Sequence, residues 1–190
     1  GSLSAVAEEG LEGLFLDIPA DSVRFQVSPD LYGPIANMEA GDYTAAAEEL
    51  REIVLRDPSY VQALRLMASA YSHLDNYVQA IQACEKIAAL DSSDAVVEVA
   101  LAHFHQKVGD SGTAELHYRQ ALLRDPNLIQ AYQGLGWVSL QRGQLEKALD
   151  MVTETTERAP GYAPNYLLMG RVLTAQGFYK DAAVAYRRAF

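Results

Sequence analysis

The sequence predicts an all-α fold, an α-solenoid of stacked helix-turn-helix units. One observation is a 34-residue period, and another is that a small residue recurs at one place in every period. A third is that apolar residues between these places lie three and four positions apart, the spacing of one face of a helix. Such self-similarity is the signature of repeat architectures, so we predict five units in one domain. The recurring small residues are Ala46, Ala80, Ala114, Ala148 and Ala182.

Glycine and proline mark the boundaries of the predicted helices in chain order. A glycine can adopt a positive φ and close a helix, so one should end the first helix of each hairpin. These residues are Gly41, Gly109, Gly143 and Gly177, with Asp75 at the remaining place. A second amphipathic helix, as in "SGTAELHYRQALLRDP", should then run to the next boundary. Those boundaries are Pro58, Pro126 and Pro160, with Ser92 filling the remaining step.

Small residues on the first helices indicate where two helices approach closely. They recur at the same 34-residue interval as the alanines of the second helices, so helix crossing fixes them while the surface is free to vary. The residues are Ala68, Ala102, Gly136 and Gly170. An Ala-rich chain of good helix formers is the alternative explanation, which the constant register disfavours.

This spacing resembles the tetratricopeptide repeat, whose pattern combines an aromatic or Leu, Leu-Gly/Ala, Tyr, Gly, Ala, an aromatic, Ala and Pro. One unit carries it as Tyr132, Leu135, Gly136, Gly143, Ala148 and Pro160, and the unit before as Leu101, Ala102, Gly109, Ala114, Tyr118, Ala121 and Pro126. The resemblance implies a repeat domain over residues 27–190 that forms a right-handed superhelix with a concave face lined by the first helices. The predicted repeats are 27–60 (atypical), 61–94, 95–128, 129–162 and 163–190 (truncated). In the atypical repeat, we expect the first helix to start at Pro34.

Residues 1–26 do not fit the repeat and form a predicted leader. Gly1-Ser2 has the appearance of an expression scar, and "LFLDI" and "VRFQV" alternate around "PADS", which can turn. We interpret the leader as a segment that docks as a cap or in the groove, with a partly disordered leader as the alternative.

The charge balance disfavours several classes of partner. The formal net charge is -10, which opposes binding to nucleic acid and to anionic lipid, and no apolar run is long enough for direct membrane insertion. The single Cys84 cannot form an internal disulfide, so the compartment stays open, with the cytoplasm slightly favoured over the periplasm. We predict no cofactor, metal site or enzymatic activity. His103 and His105 point apart on a helix, and Cys84 and His105 occupy packing positions.

The predicted site is the inner face of the first helices, and none of its candidate residues is acidic. The partner-binding candidates are Arg65, Ser69, His73, Val99, His103, Lys107, Gln133, Trp137, Gln141, Leu167 and Arg171. Trp137 is the strongest single candidate for a partner contact, because tryptophan is enriched at binding hot spots. Packing of Trp137 against the neighbouring repeat is the alternative. His103, Trp137 and Arg171 are 34 residues apart and should form one row. Members of the family that hold a C-terminal carboxylate use polar groups at places taken here by Ser69, Val99 and His103, so we predict no such clamp.

The function predicted from these features is a protein–protein interaction module that holds a peptide segment of a partner in its concave groove. One alternative is a structural assembly subunit, a homo-oligomer included, that joins through its repeat ends and leader. Another is the recruitment domain of a larger enzyme.

Overall fold

The fold is that of a computed structural model, which describes residues 28–190. A 3-10 turn at Pro29–Leu31 leads into ten α-helices, and these residues contain no β-strand, which confirms the all-α prediction. In chain order, the helices are α1 (Tyr32–Glu39), α2 (Tyr43–Arg56), α3 (Val61–His73), α4 (Tyr77–Leu90), α5 (Ala95–Lys107), α6 (Ser111–Arg124), α7 (Ile129–Gln141), α8 (Leu145–Arg158), α9 (Ala163–Ala175) and α10 (Tyr179–Ala189). Odd-numbered helices are the first helices of the hairpins and even-numbered helices the second. The predicted leader, 1–26, lies outside the described residues.

The turn inside each hairpin depends on a residue with positive φ. The four predicted glycines adopt φ values between 71° and 86°, and Asp75 adopts 54° at the fifth place. Positive φ places the Cβ of an L-residue against its own backbone, so glycine is favoured there. The predicted turn positions are therefore confirmed, Asp75 included.

The turn between hairpins is stabilised by an aspartate that recurs in three repeats. Asp57, Asp91 and Asp125 follow the second helices, and each accepts a hydrogen bond from the backbone N–H two residues later at 2.9–3.0 Å. The Ser93 hydroxyl also donates to Asp91, and these two bonds hold the pKa of the Asp91 carboxyl below its usual range. Such Asx turns redirect the chain without a second glycine.

The predicted close helix crossings are present. The five alanines of the second helices are at most 2% exposed. A Cβ built on Gly136 would lie 2.8 Å from a methyl of Leu168, and one built on Gly170 would lie 2.6 Å from the ring of Tyr186. Both distances are too short for a carbon–carbon contact, so a larger residue at either place would require the neighbouring side chain to shift. Cys84 is fully buried as predicted, and burial raises the pKa of its thiol to about 12.

The first helices approach one another more closely than the second helices do. Successive first helices contact each other, α1 with α3, α5 with α7, and α7 with α9, and no second helices in residues 28–190 meet to a comparable extent. Neighbouring elements approach most closely on the inner side of a curved solenoid. This arrangement is the one that the predicted groove requires.

The start of α1 differs from the prediction. The helix begins at Tyr32, two residues before Pro34, because a proline in the first turn lacks only an N–H that has no partner within the helix. In the described part of the chain, no helix is long and apolar enough to cross a membrane.

Candidate protein-binding surface

Charge is sorted between the two sets of helices. The four first helices α3, α5, α7 and α9 contain one acidic residue, Glu98, whereas α2 and α8 alone contain seven. Glu98 is 4% exposed, and its carboxylate pairs with Arg124 and, at 2.6 Å, with Nδ1 of His117. The accessible surface of these four helices therefore presents no carboxylate, in a chain whose net charge is -10.

The most organised contact on this surface joins Trp137 of α7 to Arg171 of α9. The guanidinium carbon lies 5.0 Å from the centroid of the indole ring, within the range of a cation–π interaction. Trp137 is half-buried and packs against a core cluster that includes Val152 and Leu168. Arg171 is exposed and forms no ion pair with any residue between 28 and 190. Packing within the solenoid thus fixes the ring, and the ring holds the guanidinium.

The predicted row of His103, Trp137 and Arg171 occupies equivalent places on α5, α7 and α9. His103 is half-buried and lies edge-on to the ring of Phe104, with centroids 5.7 Å apart. Ser69, at the same place on α3, is only 6% exposed. The prediction that Ser69 lies on the accessible surface is therefore wrong. In this row, the residue on α3 is buried and the residue on α9 is exposed.

A second row contains Arg65, Val99, Gln133 and Leu167. Two of these residues are buried, and the other two form contacts between repeats. Val99 and Leu167 are 0% and 1% exposed, so their predicted accessibility is wrong and both belong to the core. The Arg65 guanidinium pairs with Asp94, the residue that caps α5. The Gln133 amide donates to Oδ1 of Asn165 at 3.3 Å. This row links neighbouring repeats more than it offers groups to a partner.

A third row, nearer the ends of the first helices, is more accessible. His73 stacks on Tyr43 with ring centroids 3.9 Å apart, and the Lys107 ammonium lies 5.9 Å from the centroid of Tyr77. Gln141 is exposed, and its side-chain carbonyl accepts a hydrogen bond from the Gln106 amide at 3.3 Å. Polar and cationic groups therefore continue along the surface from α3 to α7.

Two buried polar groups were missed in the sequence. Glu98 occupies the position that is Leu64, Tyr132 and Tyr166 in the other repeats. Arg124, at the end of α6, was the residue in the sequence that could have indicated an ion-pair partner for it. Asn165 is fully buried, and its amide donates to the backbone carbonyls of Thr155 and Ala159. It ties the start of α9 to the end of α8 and so fixes the helix that carries Arg171.

The two histidines of the third repeat that contact each other, His105 and His117, lie in the packing between α5 and α6. The rings of His105 and His117 stack with centroids 5.5 Å apart. Burial, followed by the adjacent His117, holds the pKa of His105 below its usual range. Within the described residues, no cluster of three or more His, Cys, Asp or Glu side chains could hold a metal ion.

Comparison with known proteins relates part of the chain to a family and the described chain to a fold. A family model described as tetratricopeptide repeat matches residues 35–95. No curated protein is similar in sequence to this chain. A crystal structure of MamA superimposes with a TM-score of 0.71 at 21% identity, covering 82% of this chain and 91% of that chain. MamA 41-end from Desulfovibrio magneticus RS-1 gives 0.71 at 17% identity, with 94% and 93% covered.

A third similar structure is YrrB, described as a TPR protein with an unusual peptide-binding site. Its TM-score is 0.64 at 17% identity, and the match covers 92% of this chain and 90% of that chain. At these identities, the three structures show a shared fold. The same 34-residue register continues on both sides of residue 95, and the hairpins beyond it repeat the geometry of those within the match. Residues 35–95 therefore match the tetratricopeptide repeat family, and the described chain shares its fold with TPR proteins of known structure.

Proposed function

We propose that the protein is a non-enzymatic interaction module that binds a peptide segment of a partner protein along the concave surface of its first helices. Tetratricopeptide repeat proteins are interaction and scaffold modules, and the repeats here are regular from α3 onwards. Binding at the groove itself is the step that we add.

The observation that carries the proposal is the sorting of charge. The second helices carry ten carboxylates, seven of them on α2 and α8, while the accessible parts of α3, α5, α7 and α9 carry amides, imidazoles and cations. A surface kept free of carboxylates in an acidic protein favours a neutral or acidic segment over a basic one. Side chains such as Gln141 and Lys107 can also bond to the backbone of an extended segment.

The test begins with random peptides displayed on phage and selected against the full chain. Enriched peptides are then synthesised and their affinities measured for two matched variants. Lys107→Glu lies on the proposed surface, whereas Lys147→Glu makes the same change on α8, where the lysine is exposed. We expect the first variant to weaken binding at least several-fold and the second to leave it unchanged. Equal effects of the two variants, or the absence of any enriched peptide, would exclude the first helices as the site.

A second candidate function is assembly of copies into a larger complex, which an apolar surface on the last hairpin supports. Phe178, Tyr179 and Phe190 are more than half exposed. A groove between α9 and α10 is lined by Tyr166, Met169, Leu173, Asp181, Val184, Ala185 and Arg188. Light scattering over a range of concentrations separates the two functions. A monomer at all concentrations supports the module alone, and a stable oligomer that Val184→Glu dissociates supports assembly.

A further inference from the structure

We propose that Arg171 is the residue that recognises a carboxylate of the bound segment, and that Trp137 positions it. This inference rests on the proposed function and adds the chemistry of the ligand. It also changes the role expected for the tryptophan, from an anchor that contacts the partner to a platform for the arginine.

The guanidinium of Arg171 differs from those of the arginines that pair with carboxylates. Arg188 also stacks on a ring, that of Tyr166, but it lies on α10, a second helix. Arg65 is paired with Asp94 across the α3–α5 junction, and Arg124 is paired with the buried Glu98. Arg158 also stacks on a ring, that of Tyr132, but it donates to Glu154, Asn127 and a backbone carbonyl. Arg171 has the ring contact and, within residues 28–190, no carboxylate partner. Its hydrogen-bonding capacity is therefore available to a ligand.

Stacking prepares this arginine for binding. A guanidinium lying on an aromatic ring loses part of its rotational freedom before the ligand arrives, so less entropy is lost when the complex forms. Its N–H groups can then meet the two oxygens of one carboxylate through parallel hydrogen bonds. Packing restrains the ring itself, because Trp137 contacts the cluster containing Ala148, Val152, Leu168 and Val172.

The local charge also favours an anion. Residues 163–190 contain four Arg or Lys and one Asp, whereas residues 28–60 contain two Arg and seven acidic residues. The potential thus becomes more positive along the stack towards α9. A singly charged carboxylate matches one guanidinium, and the negative charge of the rest of the chain opposes a doubly charged phosphate. We infer an acidic segment oriented with its carboxylate at the fifth repeat.

The experiment uses peptides selected against the full chain and a partner set in which each Asp or Glu is replaced by its amide. A second arm compares a free with an amidated peptide C-terminus, which separates a side-chain carboxylate from a terminal one. We expect Arg171→Gln to weaken binding at least about tenfold, and Arg171→Lys to weaken it similarly because lysine has no planar fork. The control Arg187→Gln, at an exposed arginine of α10, should bind like the wild type.

Fluorescence adds a readout specific to the positioning role. Trp137 is the only tryptophan in the chain, so its emission reports on this contact alone. A bound carboxylate should alter the emission of the wild type and leave that of Arg171→Gln unaltered. Trp137→Phe keeps a ring under the arginine and should retain most of the affinity, while Trp137→Leu should lose it. Circular dichroism and thermal melting show whether each variant remains folded.

The outcomes separate this inference from the proposed function. Peptides that bind the first helices without an acidic residue, or that bind Arg171→Gln within twofold of the wild type, would overturn the role of Arg171 and leave the groove intact. Peptides insensitive to both Lys107→Glu and Arg171→Gln, or no enriched peptides at all, would overturn both proposals.

Discussion

Among single residues, Glu98 departs furthest from the repeat pattern. The equivalent places hold Leu64, Tyr132 and Tyr166, which are apolar or aromatic. At Glu98, the buried carboxylate pairs with Arg124, while one repeat later Tyr132 lies under Arg158. Because 98 and 124 are equivalent to 132 and 158, the same pair of helix positions is stabilised by an ion pair in one repeat and by a cation–π contact in the next.

We expect Glu98→Gln to destabilise the protein by about 1–3 kcal/mol, because it leaves the partly buried Arg124 without its counter-charge. Denaturation by urea, monitored by circular dichroism, measures the loss. The control is Glu157→Gln on the exposed face of α8, which should change stability by less than about 0.5 kcal/mol. A Glu98→Gln variant as stable as this control would mean that the buried ion pair makes no net contribution.

The helix face on which each residue lies was predictable from the sequence, but its degree of burial was not. A 34-residue period assigns Val99 and Trp137 to the same side of successive first helices. Exposure then depends on how neighbouring repeats close over that side, and this closure buries Ser69 while leaving Arg171 exposed. The contact between Arg171 and Trp137 was anticipated as a row, because equivalent residues of adjacent repeats must be neighbours. The stacking geometry needed the three-dimensional arrangement.

For the helical elements, the turn glycines allow a test that isolates backbone conformation. A Cβ at Gly143 would meet nothing within 4 Å, so its φ of 71° is the only obstacle to a side chain. Gly143→Ala should therefore cost about 1–2 kcal/mol. The matched control is Gly161→Ala, where the space is equally open and φ is not positive. It should be neutral within about 0.5 kcal/mol, and equal losses at the two sites would contradict the conformational explanation.

Packing between α5 and α6 makes stability depend on pH. Burial and the neighbouring His117 lower the pKa of His105, while Asp110 and Glu85 act in the opposite direction. Glu98 contacts the His117 ring, and Arg124 pairs with Glu98. A histidine whose folded pKa is lowered stabilises the protein above its unfolded pKa of about 6.5, and this contribution is lost as pH falls through the folded value.

We therefore expect the melting temperature to fall on acidification below about pH 6.5, and to fall less in His105→Tyr. Tyrosine is the residue at the equivalent place in the preceding repeat, Tyr71, so the variant can retain the packing. Differential scanning calorimetry across this pH range supplies the measurement. An identical pH profile in the wild type and the variant would rule out His105 as the group responsible.

Helix boundaries were the most predictable part of the elements. A glycine at the end of a first helix and a proline after a second helix act locally, so no knowledge of the tertiary structure is needed to place them. The aspartates that close the inter-repeat turns, such as Asp91, are equally local but are less distinctive in sequence. The early start of α1 escaped prediction because Pro34 is compatible with either of two boundaries.

Across the whole molecule, the hydrophobic core is unevenly distributed. One large cluster extends from Leu31 to Phe104 and joins α2, α3, α4 and α5. The buried members of the cluster at the opposite end are Tyr166, Leu167 and Ala189. Among the described helices, α10 packs extensively only against α9. Because each repeat of a solenoid is stabilised by its own fold and by its nearest neighbours, local stability should differ along the stack.

Hydrogen exchange should reveal this gradient. We expect the backbone amides of α10 to exchange faster than those of α3 and α4, because α10 packs extensively only against α9 and its release breaks one interface. Ala182→Gly, at a buried position of α10, should accelerate exchange in α9 and α10 and leave α3 and α4 nearly unchanged. The matched variant Ala80→Gly in α4 removes the same methyl inside the large cluster, so it should accelerate exchange on both sides of that helix. Uniform exchange along the chain, with both variants affecting every helix equally, would instead establish one cooperative unit that the separate clusters do not predict.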